Sequence, residues 1–223
     1  VRAGGVDAQA DPEVVGESGA WSIVGGHDAL GMVTACRAMQ VAIDKARNAG
    51  IAYVGVRGGT HFGAASYYAN LAAGQQMIGL AMTNADPVMA GVGSRGRIIG
   101  NNPLAFAAPV GDGHPVLLDI AMSEVSGGKV LAALAEERMI PDHWLLDTDG
   151  QPTTDPSWFG REGPLQPVGA HKGYGLAVMV EVLVAVLTGS GMTDQILPWS
   201  RRPESSTNTG HAFVVIDINS IMP

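Results

Sequence analysis

The sequence predicts an α/β fold, a mixed sheet with helices on its faces, in one main domain. Three observations predict it. Short β-rich apolar runs alternate with longer segments of helical periodicity. The 223 residues can bury a substantial core without staples, and 46% of them are hydrophobic. Glycine occupies 31 positions, about twice the usual ~7%, which suits sharp turns and close backbone approaches.

The elements follow in order. Residues 1–19 are rich in Gly, Asp and Glu and are expected to form an irregular lead-in to a domain over 20–223. Trp21 to Val24 reads as a strand. Asp28 is placed to cap a helix, along which Met32, Cys36, Met39, Ile43 and Ala46 repeat with helical spacing. Lys45 and Arg47 suit its last turns, and Gly50 stops it. Ile51 to Val56 is a buried strand, Gly58 to Gly63 a loop, Ala64 to Ala73 a short helix, and Met77 to Thr83 the next strand. A strand–helix–strand unit of this kind predicts adjacent parallel strands with a right-handed crossover. Leu104 to Ala108 and Val116 to Ile120 are two more strands, joined by the turn Gly111-Asp112-Gly113. Val130 to Glu137 is helical, 138–170 is loop, Tyr174 to Leu187 is an apolar helix, 190–210 is polar loop, and Ala212 to Ile218 is a last strand.

Charge and cysteine usage exclude several function classes. There are 13 basic and 21 acidic residues, a net charge of −8, so no basic face for general nucleic-acid binding is expected. Cys36 is the sole cysteine, which excludes an internal disulfide framework and fits a reducing, cytoplasmic setting. The longest apolar run, Leu176 to Leu187, is interrupted by Glu181 and is too short for a bilayer, which takes about 20 residues. No membrane association is expected.

Few motifs carry chemistry on their own. Gly91-Val92-Gly93-Ser94-Arg95-Gly96 matches a dinucleotide fingerprint, but Asp86-Pro87 before it and Pro103 after it oppose the strand and helix such a fingerprint needs. Gly127-Gly128-Lys129 fails as a phosphate loop, because Ser123 stands where Gly is required and Val130 replaces the magnesium-binding hydroxyl. Zinc-ligand spacing and a serine nucleophile elbow are both missing from the sequence, so no metal site is expected.

His61 follows a buried strand and Asp86 follows the next one. Ligands of α/β sheets bind outside the carboxyl ends of strands, so the two side chains are expected to face one cleft. A carboxylate beside an imidazole fixes its tautomer and favours its protonated form, which suits acid–base work. The bland alternative is a loop His and an Asp that opens a turn before Pro87. Asp119 ends a strand, where it can bind a ribose or a backbone amide, or cap the following turn. Lys172 lies among glycines at the start of the apolar helix, a good place for an anion.

An ordered set of motifs extends this reading. Gly59-Thr60-His61-Phe62-Gly63, Asn84-Ala85-Asp86-Pro87, Gly100-Asn101-Asn102-Pro103-Leu104, Leu118-Asp119-Ile120-Ala121, Lys172-Gly173-Tyr174-Gly175 and Asn208-Thr209-Gly210-His211 span nearly the whole chain. Together they resemble the malate/L-lactate dehydrogenase type 2 family, whose relatives include sulfolactate and ureidoglycolate dehydrogenases and cyclic-imine reductases. The resemblance implies a non-Rossmann, sulfolactate dehydrogenase-like domain over 20–223 that binds NAD or NADP. It implies hydride transfer to or from a small 2-hydroxy or 2-oxo acid, and a homodimer. By motif, His61 and Asp86 are the implied catalytic residues, His61 moving the proton and Asp86 orienting His61. Asp119, Ile120, Ala121 and Lys172 are the implied cofactor contacts. The family's N-terminal helical segment, with a Ser-His-Gly motif and a substrate-gripping Arg, has no match in residues 1–30. The alternative is a catalytically silent nucleotide-binding or interaction module.

Overall fold

The structure is a computed structural model that describes residues 1–111 and 113–222. Asp112, in the expected turn, and Pro223 lie outside the described residues.

Among the described residues eleven strands and five α-helices follow one another. They are β1 (Glu13–Ser18), β2 (Trp21–Gly25), α1 (Gly31–Ala49), β3 (Ile51–Gly59), α2 (Ala65–Ala73), β4 (Met77–Thr83), β5 (Met89–Ala90), β6 (Arg97–Ile99), β7 (Leu104–Ala108), β8 (Val116–Ile120), α3 (Gly127–Ala135), β9 (Leu145–Leu146), β10 (Pro152–Thr153), α4 (His171–Glu181), β11 (Thr209–Asp217) and α5 (Ile218–Ile221). Seven of the strands form one sheet in the order β1-β2-β3-β11-β4-β7-β8. Only β2 and β3 pair parallel in it; the other neighbours are antiparallel. The fold is therefore α/β with a mixed sheet, and not the parallel doubly wound sheet of a Rossmann domain. Among the described residues no helix is long and apolar enough to cross a membrane.

Helices cover both faces of the sheet. α1 and α2 pack on one face, where Phe213, Val215, Val54, Val56, Ala105 and Ala107 meet Tyr68, Phe62 and the helix residues. On the other face Val180 and Val184 meet Met82 and Ala212. Alternation along β11 sends Phe213 and Val215 one way and Ala212 the other, as the period of a strand requires. The buried stripe of α1 is Thr34, Ala35, Ala38, Met39, Ala42, Ile43 and Ala46. It is offset from the expected one: Met32 points outward and is 51% exposed. Alanines supply the stripe because they let the helix lie close on the sheet.

Several expectations are corrected. The lead-in 1–19 is not wholly irregular, since β1 pairs with β2 and takes the sheet edge. Its alternating small and charged residues hid a strand that is buried on neither face. Asp28 does not cap α1; its carboxylate accepts the Ser206 hydroxyl, and the helix begins at Gly31 with no side-chain cap. A Cβ at Gly31 would collide with the carbonyl oxygens of Thr60 and His61, so glycine lets this helix start rest directly on the His61 loop. The β3 strand runs on to Gly59, and α3 begins earlier, at Gly127. The apolar helix divides in two, α4 and then a π-helical turn over Val182–Val186. There the Leu183 carbonyl accepts the Tyr53 hydroxyl at 2.6 Å, a contact of the kind that opens a helix ladder.

The largest correction concerns topology. β3 and β4 run in the same direction, as expected, but they are not neighbours. β11 lies between them and pairs antiparallel with both, with His211 opposite Val56 on one side and Thr83 on the other. Local sequence does not announce this, because the middle strand comes from the far end of the chain.

Candidate active site

The carboxyl ends of β3 and β4 and the amino end of β11 open at one edge of the sheet. A cleft of about 160 Å³ lies there. Its walls include His61, Asp86, Asn84, Asn101, Trp199 and Thr209. His61 and Asp86 do share a cleft, as the spacing predicts. They come from strands two ladder spacings apart, roughly 10 Å, and among the described residues no hydrogen bond or ion pair joins them.

Each side chain has a distinct environment. His61 stacks on Trp199, with ring centroids 5.6 Å apart and planes at 24°. The His61 ring is exposed by surface area, yet this stack and the cleft walls displace enough water to hold its pKa below the ordinary value. Asp86 is half-buried, and its loss of water raises its pKa, against the opposing pull of Arg201 and Arg97. The expected mutual stabilisation of charge is thus replaced by two separately desolvated groups. Both shifts favour the neutral forms, the reverse of an imidazolium held by a carboxylate.

The residue after His61 is the anchor of the loop. Phe62 stacks between Tyr68, at 4.9 Å, and His211, at 4.6 Å and 9°. The Tyr68 hydroxyl donates to the Phe62 carbonyl oxygen. His211 is fully buried. Its Nδ1 lies 2.8 Å from the Thr83 hydroxyl, which itself donates to the Gly210 carbonyl at 2.9 Å. Nε2 is left without a partner among the described residues.

Burial drives the His211 pKa down to about 3, so the folded protein holds this ring neutral. The unfolded chain takes up its proton as pH falls through about 6.5. Stability is fully present above that pH and declines from there toward pH 3, by up to about 1.4 kcal/mol per pH unit from this group. Urea midpoints between pH 7.5 and 5 should fall accordingly, and His211→Gln should flatten the decline. Equal slopes in the two proteins would contradict it.

The other expected site residues lie along β8 and α4. The exposed Asp119 accepts from the Ser66 backbone N–H at 2.9 Å, so it binds a backbone amide at the start of α2 rather than the following turn. Ile120 packs beside Met122 and Ala177, and Ala121 is half-buried. Met122 links this segment to both sides: its N–H donates to the Asn101 carbonyl of the cleft wall at 2.8 Å, and its carbonyl accepts from Val168 N–H at 2.9 Å. Val168 leads into the start of α4. That helix has no side-chain cap and no acidic residue in its first turn, where Lys172 stands. A path of backbone contacts therefore joins the His61 cleft to the α4 N-terminus.

The glycine string Gly91 to Gly96 is the loop between β5 and β6, and a strand, not a helix, follows it. It borders a larger cleft of about 590 Å³ with Arg95, His143 and Gln151, which neither His61 nor Asp86 lines. Size alone does not mark the candidate chemistry.

Sequence reasoning missed Trp199, Arg97, Arg201 and Glu181. A tryptophan in a polar loop was a signal for the first, and a lone carboxylate in an apolar run was one for the last.

The malate/L-lactate dehydrogenase family model matches residues 1–223. The chain belongs to this family. It is 38% identical over 217 residues to the L-sulfolactate dehydrogenase of Methanocaldococcus jannaschii, which covers 97% of this chain and 62% of that protein. It is 38% identical over 230 residues to the malate dehydrogenase of Pyrococcus horikoshii, covering 100% and 63%. The crystal structure of malate dehydrogenase from Entamoeba histolytica superposes with a TM-score of 0.93 at 28% identity, over 100% of this chain and 64% of that one. The chain thus spans less than two thirds of the length of these family members.

Proposed function

We propose that this chain forms the nicotinamide-binding part, and one side of the reaction cleft, of an oxidoreductase. Its reaction is hydride transfer between NAD or NADP and C2 of a small 2-hydroxy or 2-oxo acid. The observation that carries the reading is the convergence of His61 and Asp86 on one cleft at the ends of β3 and β4, in a chain of this family.

The residues present fit a dinucleotide. The start of α4 offers the Lys172 ammonium and the positive end of the helix dipole to a diphosphate, while the Ala170, Lys172 and Gly173 N–H groups already donate to the Pro167, Gly169 and Val168 carbonyls. Asp119, Ile120 and Ala121 are assigned to the cofactor by their family motif, and the polar groups of Asn101 and Thr209 face the cleft. When bound, the nicotinamide takes up or releases the hydride. His61 handles the proton. With its pKa below the ordinary value it is neutral near pH 7 and accepts the hydroxyl proton in oxidation; in reduction it returns that proton to the oxygen. Trp199 shields one face of the imidazole. Asp86, across the cleft, shapes the field in which the substrate oxygen and His61 exchange the proton.

Parallel fluorescence titrations with NADH and NADPH, then a panel of 2-oxo acids followed by loss of reduced-nicotinamide absorbance, test the reading. Binding without turnover across the panel would identify a silent nucleotide-binding module. Turnover without an absorbance change would identify a lyase.

The cofactor assignment makes its own prediction. Lys172→Met should weaken dinucleotide binding by about 1.5–3 kcal/mol, a roughly tenfold to hundredfold rise in Kd, because a charge-assisted contact is lost. An unchanged Kd at low salt would remove Lys172 from the site.

A further inference from the structure

A buried carboxylate lies beneath the cleft and takes no part in the chemistry described above. Glu181, at the end of α4, is 3% exposed. Its oxygens accept three hydrogen bonds: from Asn102 Nδ2 at 2.7 Å, from the Thr193 backbone N–H at 2.8 Å, and from Asn84 Nδ2 at 3.4 Å. Each donor belongs to a different wall. Asn84 ends β4 and precedes Asp86. Asn102 lies between the wall residues Asn101 and Pro103. Thr193 opens the segment that continues through Ile196 and Leu197 to Trp199, the ring stacked on His61.

We propose that Glu181 is a positioning residue that holds these three walls in register around His61 and Asp86. The inference rests on the reading of this cleft as the reaction site.

The argument is one of polarity. Asn102 is fully buried; its Oδ1 accepts from the Ala85 N–H at 3.1 Å, and its Nδ2 donates to Glu181 at 2.7 Å and to the Ala177 carbonyl at 3.0 Å. Asn84 is arranged the same way: its Oδ1 accepts from the Gly210 N–H at 2.9 Å and its Nδ2 donates to the Gly191 carbonyl at 2.9 Å and to Glu181. Acceptors orient both amides: Glu181 is common to the two, joined by the Ala177 carbonyl at Asn102 and the Gly191 carbonyl at Asn84. Were either amide turned over, its NH2 would face a backbone N–H, and a buried donor would lose its partner. The orientation set by Glu181 is thereby passed to Ala85, one residue before Asp86.

Glu181→Gln keeps the shape but adds donors. With Gln Oε1 facing Thr193, its NH2 confronts the NH2 of Asn102. The test is amide hydrogen exchange of the chain by NMR, together with the pH titration of the His61 imidazole signal. Glu181→Gln should speed exchange of the Ala85 and Thr193 amides by tenfold or more, with Phe213 and Val54 in the central strands unaffected. The His61 titration should move up toward its ordinary value, as the Trp199 wall loosens and water returns. Should Glu181→Gln fail to fold, Glu181→Asp retains the acceptor but falls short of one wall, and should show the same local pattern more weakly. Unchanged protection of Ala85 and Thr193, or an equal loss at every amide including the central strands, would overturn the proposal. Exchange requires no turnover, so this result stands or falls separately from hydride transfer.

Discussion

Replacing His61 by Gln is expected to cost about 10²–10⁴-fold in kcat, the usual contribution of a positioned general acid–base group. The substitution should leave dinucleotide affinity nearly unchanged, because the α4 start and Lys172 lie away from the ring. It should also change the pH profile. In the intact protein the reductive reaction needs protonated His61, so its rate should fall as pH rises through a pKa held below the ordinary His value by desolvation. Glutamine does not titrate, and that dependence should vanish. The measurement is steady-state turnover between pH 5 and 8 with whichever 2-oxo acid is reduced. Near-normal turnover with an unaltered profile would move the proton to another source. Among the histidines the alternatives are poor: His211 is sealed beneath Phe62, and His171 starts α4 on the surface.

The largest expected loss of stability comes from the neighbouring position. Phe62 is 1% exposed and is held between two rings, with a third, Phe213, at 6.4 Å. Phe62→Ala should remove about 3–5 kcal/mol, the range for deleting a buried aromatic side chain. That is a large part of the roughly 5–15 kcal/mol that holds a typical domain together. Phe62→Leu, which keeps much of the volume, should cost less than half as much. Urea unfolding at pH 7.5 gives both numbers, and a loss below about 1 kcal/mol for Phe62→Ala would show that the stack is not a packing anchor. His61 itself would be affected in either variant, because its backbone position is set by the residue that follows it.

Much of this molecule is legible in its sequence where the signal is local. Met77 to Thr83, Leu104 to Ala108 and Val116 to Ile120 are strands with the expected limits, since each is a short apolar run bounded by turn residues. His61 and Asp86 reach one cleft because strands of the same direction end at the same edge. What was not legible depends on distant partners. β11 enters between β3 and β4, which separates the two site residues and removes the direct pairing that adjacent strands would allow. Trp199 and Arg201 arrive from a loop with no periodicity to read. The start of α1 is set by the contact of Gly31 with the His61 loop, a long-range approach that overrides the local capping signal of Asp28.

The insertion of β11 also has a consequence for how the protein is made. Translation proceeds at about 5–20 residues per second, so Asp217 leaves the ribosome on the order of ten seconds after Thr83. During that interval the nascent chain can build two half-sheets, one ending at β3 and the other at β4, but nothing bridges them. Each half presents an unsatisfied row of backbone groups at the seam where the central strand belongs, the kind of edge that recruits foreign strands. The loop carrying His61 lacks its His211 cushion, and Asn84 lacks its Gly210 partner. Ribosome-bound chains stopped before Thr209 should therefore be protease-sensitive and chaperone-dependent, and emergence of β11 should convert them in one cooperative step. Competence in this fold waits on a strand made long after the two it joins.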